Sequence, residues 1–362
     1  KGSALPPTKL LHLLRNQGLQ VKPCCSILRH ILQLPKPRLR QLCLLLVLCL
    51  ILLPSSHRGA RPTDPVLPIP LAPPLDTKRA EISGLTWHRD RLILLPQYPD
   101  RFGPSSEGRL FAIAKQRLLS FGDRRSRKPI KANPVRFDSG GLEKKIPGFE
   151  GFEAVSFWED QVYLSVEARP GGSMTGYIVA GEIDAAGSSI RLAPETLTQV
   201  PSQSGLSNMA EEALTIAGGR LLSFHEANGL EVNPSPAAHA FTLSLHRLPD
   251  ISFPNLEYRL TDATRTAPDN RFWVSNFFFP GDRKKLRPAG NAPSDRPVEQ
   301  LVELEYTPQG IGLTDSEPIV LRNEATSRPR NWEGLARLDE RGFLLVTDTF
   351  PATILGFVPS PN

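Results

Sequence analysis

The sequence predicts an all-β fold, a β-propeller of five four-stranded blades preceded by an N-terminal signal or anchor segment. Three observations predict it. A short polar signal recurs five times: Ser83-Gly84-Leu85, Glu153-Ala154-Val155, Glu212-Ala213-Leu214, Asp262-Ala263-Thr264 and Glu333-Gly334-Leu335. Each is answered by a second polar residue, Gln97, Glu167, Glu226, Asn276 and Asp348, at separations of 14, 14, 14, 14 and 15 residues. Between each pair lie short apolar runs broken by Asp, Gly or Asn, a strand–turn–strand signature rather than a helical one. Internal repeats decide architecture before any other signal does.

Residues 1–60 read as a leader. Lys36, Arg38 and Arg40 precede an apolar run at 42–53, which Pro54-Ser55-Ser56 ends. Twelve residues fall short of the roughly 20 that span a bilayer. A basic flank, a short apolar core and small polar residues beyond it describe a secretory signal peptide; a short membrane anchor is the alternative. All four cysteines, Cys24, Cys25, Cys43 and Cys49, fall here, so the remainder has no thiol for a disulfide. Residues 61–76 are proline-rich, stiff and extended, and read as a linker or a closing strand.

Residues 77–362 read as the propeller. Antiparallel pairing puts the first and second polar residue of each hairpin at the same end. Third strands are expected at 109–114, 176–183, 240–245, 300–306 and 352–358, and fourth strands at 130–137, 190–200, 256–260 and 318–321. The fifth unit has no fourth strand of its own. Residues 65–71 or 78–82 would supply it and close the ring. Six blades is the alternative, should 116–150 hide a further one.

The formal net charge of +6 is misleading. Nine of the 43 Lys and Arg lie in residues 1–60, which hold no acid, leaving 34 bases against 37 acids in residues 61–362. The folded part is mildly acidic, which excludes nucleic acid as a charge-driven partner. Membrane contact is expected only through the leader, and the chain is expected to be exported, periplasmic or extracellular, and monomeric.

In a propeller the first strand of each blade lines the channel. Ser83, Glu153, Glu212, Asp262 and Glu333 should therefore converge as an inner ring, with Gln97, Glu167, Glu226, Asn276 and Asp348 as a secondary ring. Seven of these ten are carboxylates and all ten carry oxygen. Crowded carboxylates stay ionised only with compensation, and hard oxygen ligands suit Ca²⁺. With no cysteine in the propeller and little histidine, zinc is a poor match. The acids can equally cap loop amides or pair with Arg169, Arg271 or Arg337. Glu212, Glu226 and His225, the histidine inside a motif, are the candidates for proton transfer.

The same segments carry a family resemblance. Glu81-Ile-Ser-Gly-Leu-Thr-Trp, Glu150-Gly-Phe-Glu-Ala-Val, Glu211-Glu-Ala-Leu, Leu260-Thr-Asp-Ala and Asn331-Trp-Glu-Gly-Leu-Ala, closing with Phe343-Leu-Leu-Val-Thr-Asp-Thr-Phe, resemble the phytase-like propellers with esterase-like activity. The ring also resembles that of the calcium-dependent nucleotidases (apyrases). The resemblance implies a Ca²⁺-dependent hydrolase of small phosphoester or ester substrates, with Arg169, Arg283 and Lys284 as substrate contacts. Against the phytase pattern, no dense Lys/Arg/His cluster is present, and Ser83, Gln97 and Asn276 depart from the acidic ring. A non-catalytic ligand- or protein-binding propeller and a sugar-lactonase-like enzyme are the competing expectations.

Overall fold

The computed structural model describes residues 65–104, 107–123, 128–290, 292–293, 295–322 and 329–360. The expected leader at 1–60 lies outside the described residues, as do residues 61–64. Among the described residues no helix is long and apolar enough to cross a membrane.

The described chain is a β-propeller. A short strand β1 (Leu67–Ile69) is followed by five antiparallel meanders. The first is β2 (Ile82–His88), β3 (Arg91–Pro96), β4 (Gly108–Ala114) and β5 (Asn133–Asp138). The second is β6 (Phe149–Trp158), β7 (Gln161–Ala168), β8 (Thr175–Ile183) and β9 (Ser189–Leu192), with β10 (Thr198–Val200) also on β8. The third is β11 (Glu211–Ala217), β12 (Arg220–His225), β14 (Ala237–Phe241) and β15 (Ile251–Ser252); β13 (Ala227–Asn228) leaves it to pair with the fourth. The fourth is β16 (Leu256–Ala263), β17 (Arg271–Phe278) and β18 (Val298–Thr307), edged by β19 (Gly310–Leu313) and β20 (Ile319–Val320). The fifth is β21 (Trp332–Leu338), β22 (Gly342–Thr347) and β23 (Leu355–Pro359), and β1 completes it by pairing antiparallel with β23. The inner strands touch in cyclic order, β2 on β6, β6 on β11, β11 on β16, β16 on β21, and β21 back on β2. Parallel pairing of β5 with β9 also joins the outer edges of the first two meanders.

The apolar runs follow from this packing. Each sheet is covered on both faces, so its strands need apolar residues at every position and not at alternate ones. On β3, Leu92 and Leu94 enter the core shared with the fifth meander, while Ile93 and Leu95 enter the core shared with the second. On β22, Leu344 and Val346 face the first meander's core and Phe343 and Leu345 face the fourth's. Near the axis the strands come so close that a Cβ on Gly334 would lie 2.6 Å from Val346 Cγ1 and 3.0 Å from the Leu85 amide nitrogen.

Several strand expectations need correction. Residues 256–260 do not close the third meander; they open β16, and the two-residue β15 closes the third meander instead. The third strands expected at 240–245 and 352–358 lie at Ala237–Phe241 and Leu355–Pro359. Residues 78–82 form a helical turn leading into β2, so the closing strand is the one within 65–71. Among the described residues, 116–150 show no separate meander. They hold α1 (Lys115–Gly122), the outer strand β5, a single-turn helix α2 (Leu142–Lys145) and the start of β6.

Candidate functional site

Each inner strand carries a β-bulge, with register slipping after Ile82, Phe152, Glu211, Leu260 and Trp332. A bulge re-aims the extra side chain and ends regular pairing. The bulged residues are Ser83, Glu153, Glu212, Thr261 and Glu333. In the fourth meander the bulge therefore falls on Thr261, one residue before the expected Asp262.

The two hydroxyls at these positions stitch neighbouring sheets together. Ser83 Oγ donates to the Phe152 carbonyl at 2.6 Å, and Thr261 Oγ1 donates to the Trp332 carbonyl. Asp262 is buried and accepts amide hydrogens from Leu335 at 2.7 Å, Ala263 at 2.8 Å and Leu85 at 3.4 Å, tying the fourth meander to the fifth and first. Burial pushes its carboxyl well up, and those three amides pull it part of the way back. Asn276 is likewise engaged. Its Nδ2 donates to the carbonyls of Glu257 and Arg259, and its Oδ1 accepts from Gln300 Nε2.

Five glutamates remain, Glu153, Glu167, Glu212, Glu226 and Glu333, all buried. Glu167, Glu212 and Glu226 each bring one carboxylate oxygen within 4.8 Å of the other two. Glu167 Oε1 and Glu226 Oε2 are buried and find no hydrogen-bond partner among the described residues. Gln97 Nε2 donates to Glu153 Oε1 at 2.8 Å, and Asn331 Nδ2 donates to Glu333 Oε1. Asp348 stands partly exposed, capping its own loop through the Phe350 amide at 3.0 Å.

The electrostatics follow from crowding. Burial first, and then the charges of Glu226, Glu333, Glu167 and Glu153, push Glu212 well above the usual carboxylate range. Burial and Glu167 do the same to Glu153, against the pull of the Gln97 amide. Glu167 is pushed up to about 8 by burial and Glu226, and Glu333 to about 8 by burial and Asp348.

Among the described residues one base, Arg259, answers this charge. Arg259, two residues before the bulge in β16, pairs through Nε with Glu226 Oε1. Burial raises the Glu226 carboxyl and the Arg259 guanidinium draws it back. Burial opposes charge on Arg259 in turn, yet Glu226, Glu333 and Glu212 hold it protonated. Nothing in the repeat marks Arg259, two positions before the bulge, as facing the channel. The available signal was the mismatch itself, a lone arginine beside Leu260-Thr261-Asp262 where the other four units place Glu81, Gly151, Ala210 and Asn331.

The other expected residues are not members of this cluster. Arg169 follows β7 and pairs with Glu150 at 2.9 Å. Arg283 and Lys284 are exposed on the single-turn helix α3 (Arg283–Leu286), next to Asp282, whose charge raises Glu226. His225 is fully buried, with Nε2 against Ser204 Oγ at 2.8 Å and Nδ1 facing Glu211. A cavity of about 700 Å³ lies elsewhere, at the seam of β1, β23 and α1, lined by Leu67, Leu118, Phe121, Leu338 and Phe357.

Fold and site together define a β-propeller with a carboxylate-rich channel. No family model matches the chain, and no curated protein does. Among solved structures it is similar to a GH43_1 enzyme from Xanthomonas citri, with 11% identity, 82% of this chain and 91% of that one covered, and a TM-score of 0.46. It is similar to the native arabinanase of Bacillus subtilis, at 8% identity, with 78% and 95% covered and a TM-score of 0.41. A third is the soluble aldose sugar dehydrogenase of Escherichia coli, at 10% identity, with 81% and 99% covered and a TM-score of 0.42.

Proposed function

We propose that this protein is an exported Ca²⁺-binding β-propeller whose channel hydrolyses small phosphoester or ester substrates. The observation that carries the proposal is the approach of Glu167, Glu212 and Glu226 within 4.8 Å, with two buried oxygens unpartnered. Three carboxyl groups against one guanidinium cannot all ionise in a desolvated place unless a further cation enters, and an all-oxygen donor set matches a hard divalent cation. Glu167, Glu212 and Glu226 would hold the ion, with Glu153 and Glu333 beside them. When bound, Ca²⁺ would neutralise substrate oxygens and polarise the reacting bond. Glu333, buried beside these three acids, would take the proton from water once the ion favours its ionised form. Arg283 and Lys284, exposed beside Asp282, would meet an anionic substrate as it enters. Export rests on the basic flank and apolar run of residues 36–53.

A second reading, a cation-stabilised binding propeller without turnover, is favoured by the engagement of Ser83, Asp262 and Asn276 with backbone groups. Calorimetry of the chelator-treated protein tests the site. Ca²⁺ should bind and raise stability by about 2.7 kcal/mol at a hundredfold excess over Kd. Glu212→Gln should weaken that binding, yet be neutral or stabilising under chelator, because it removes a buried acid whose ionisation burial and its neighbours oppose. Equal destabilisation with and without Ca²⁺ would make the glutamates structural and remove the basis of the proposal. Turnover of phosphoesters and esters that stops on chelation would separate the hydrolase from the binding propeller.

A further inference from the structure

Next to the channel acids, but using none of them, stands a serine–histidine–glutamate arrangement. Ser204 lies in the loop between β10 and β11 and is partly exposed. Its Oγ is 2.8 Å from His225 Nε2. The other ring nitrogen, Nδ1, faces Glu211 Oε1 at 3.5 Å, and both of those atoms are buried with no closer hydrogen-bond partner among the described residues. Glu211 and His225 are paired across β11 and β12, one residue before Glu212 and Glu226 respectively, so the bulge that re-aims Glu212 leaves its neighbour on the opposite side.

The trio is held from several directions. Ser223 Oγ donates to Glu211 Oε2. Gly176 on β8 makes room for Glu211, since a Cβ there would lie 2.7 Å from Glu211 Cγ. Asn228 Nδ2 donates to the His225 carbonyl, fixing the end of β12. Beside the serine, a Cβ built on Gly205 would meet nothing within 4 Å, so the loop next to Ser204 is uncrowded. The nucleophile is reachable while its base and the base's partner are dry, which is the order that nucleophilic catalysis requires.

The geometry points to Ser204 as the nucleophile of a carboxylic-ester hydrolase, with His225 as general base and Glu211 as the positioning residue. With the Nδ1 proton directed at Glu211, Nε2 accepts the Ser204 hydroxyl proton as Oγ bonds to the ester carbonyl carbon. The tetrahedral adduct collapses by breaking the bond to the alcohol oxygen, which leaves with the proton from Nε2. Water then gives a proton to Nε2 and adds to the acyl carbon. The carbon–Oγ bond breaks, the proton returns to Oγ, and the free acid departs. The sum is ester plus water to acid plus alcohol, with no metal in any step. The Nδ1 to Oε1 separation shortens when the imidazolium forms, as catalytic contacts do on reaching the transition state.

An alkyl fluorophosphonate, which phosphonylates activated serines, tests this on the full chain, read by intact mass and peptide mapping. One adduct at Ser204 is expected, at the same rate with and without chelator. Ser204→Ala should abolish it. His225→Gln should slow it by ~10²-fold or more. Glu211→Gln should also slow it, and Glu211→Asp should recover part of the rate, a rescue that a purely structural role would not produce; thermal melts confirm that each variant is folded. No adduct at Ser204 in the folded parent, or equal rates in folded His225→Gln, would overturn the assignment. Labelling without Ca²⁺ binding in calorimetry would sink the channel proposal and leave this one standing, and the converse result would do the reverse.

Discussion

At the scale of single residues, the described part of the channel sets five buried glutamates against Arg259. Glu226 is fully buried and the Arg259 side chain is 19% exposed. Removing one partner of such a pair strands the other's charge away from water, which costs more than the pair itself contributes. Arg259→Met should therefore lower the stability of the chelator-treated protein by about 3 kcal/mol. Ca²⁺ should restore part of the loss, because it supplies the missing positive charge. A melt showing no loss under chelator would mean that Glu226 simply takes up a proton. The carboxylates at 153, 167, 212, 226 and 333 were legible from spacing. Thr261 and Arg259 were not, because a one-residue slip in a bulge leaves no mark in composition. Ser204 was also hidden, since a loop serine acquires meaning only when the fold brings His225 to it.

At the scale of elements, the hairpins were readable because both faces of every sheet are buried and the turns carry Asp, Gly and Asn. The outer strands were less so. Ile251–Ser252 is two residues long and offers no period, so the stronger apolar signal of 256–260 reads as the closing strand although it opens the fourth meander. The closing strand is the element most exposed to a test. Leu67–Ile69 pairs with Leu355–Phe357, and Val66, Ile69 and Leu71 are buried around it. Deleting residues up to 71 removes that pairing and three buried side chains, a loss on the order of 5 kcal/mol. Hydrogen exchange at 355–358 should speed up before the rest of the molecule responds. Unchanged protection there would refute closure by this strand.

For the whole molecule, the acids impose a pH dependence. In the folded state Glu167 and Glu333 titrate near 8, against an ordinary value of 4.5. Between those limits the folded protein binds more protons than the unfolded chain, so its stability falls as pH rises. Under chelator, the melting temperature should be highest near pH 4.5 and decline towards pH 8. Saturating Ca²⁺ should flatten the decline, because the ion favours the deprotonated acids. Asp160 and Asp184, held low by His88 and Ser188, act only below this window. A chelated protein that grows more stable from pH 5 to 8 would contradict the crowding described for the channel.

The pairing of β1 with β23 also sets a clock. A ribosome releases roughly 5–20 residues per second, and the two strands lie some 290 positions apart. For about 15–60 seconds of synthesis the half-built ring must hold the apolar edge at Val66, Ile69 and Leu71 without its partner. That edge is the natural place for a holding chaperone to bind the nascent chain and for premature strand pairing between copies to begin.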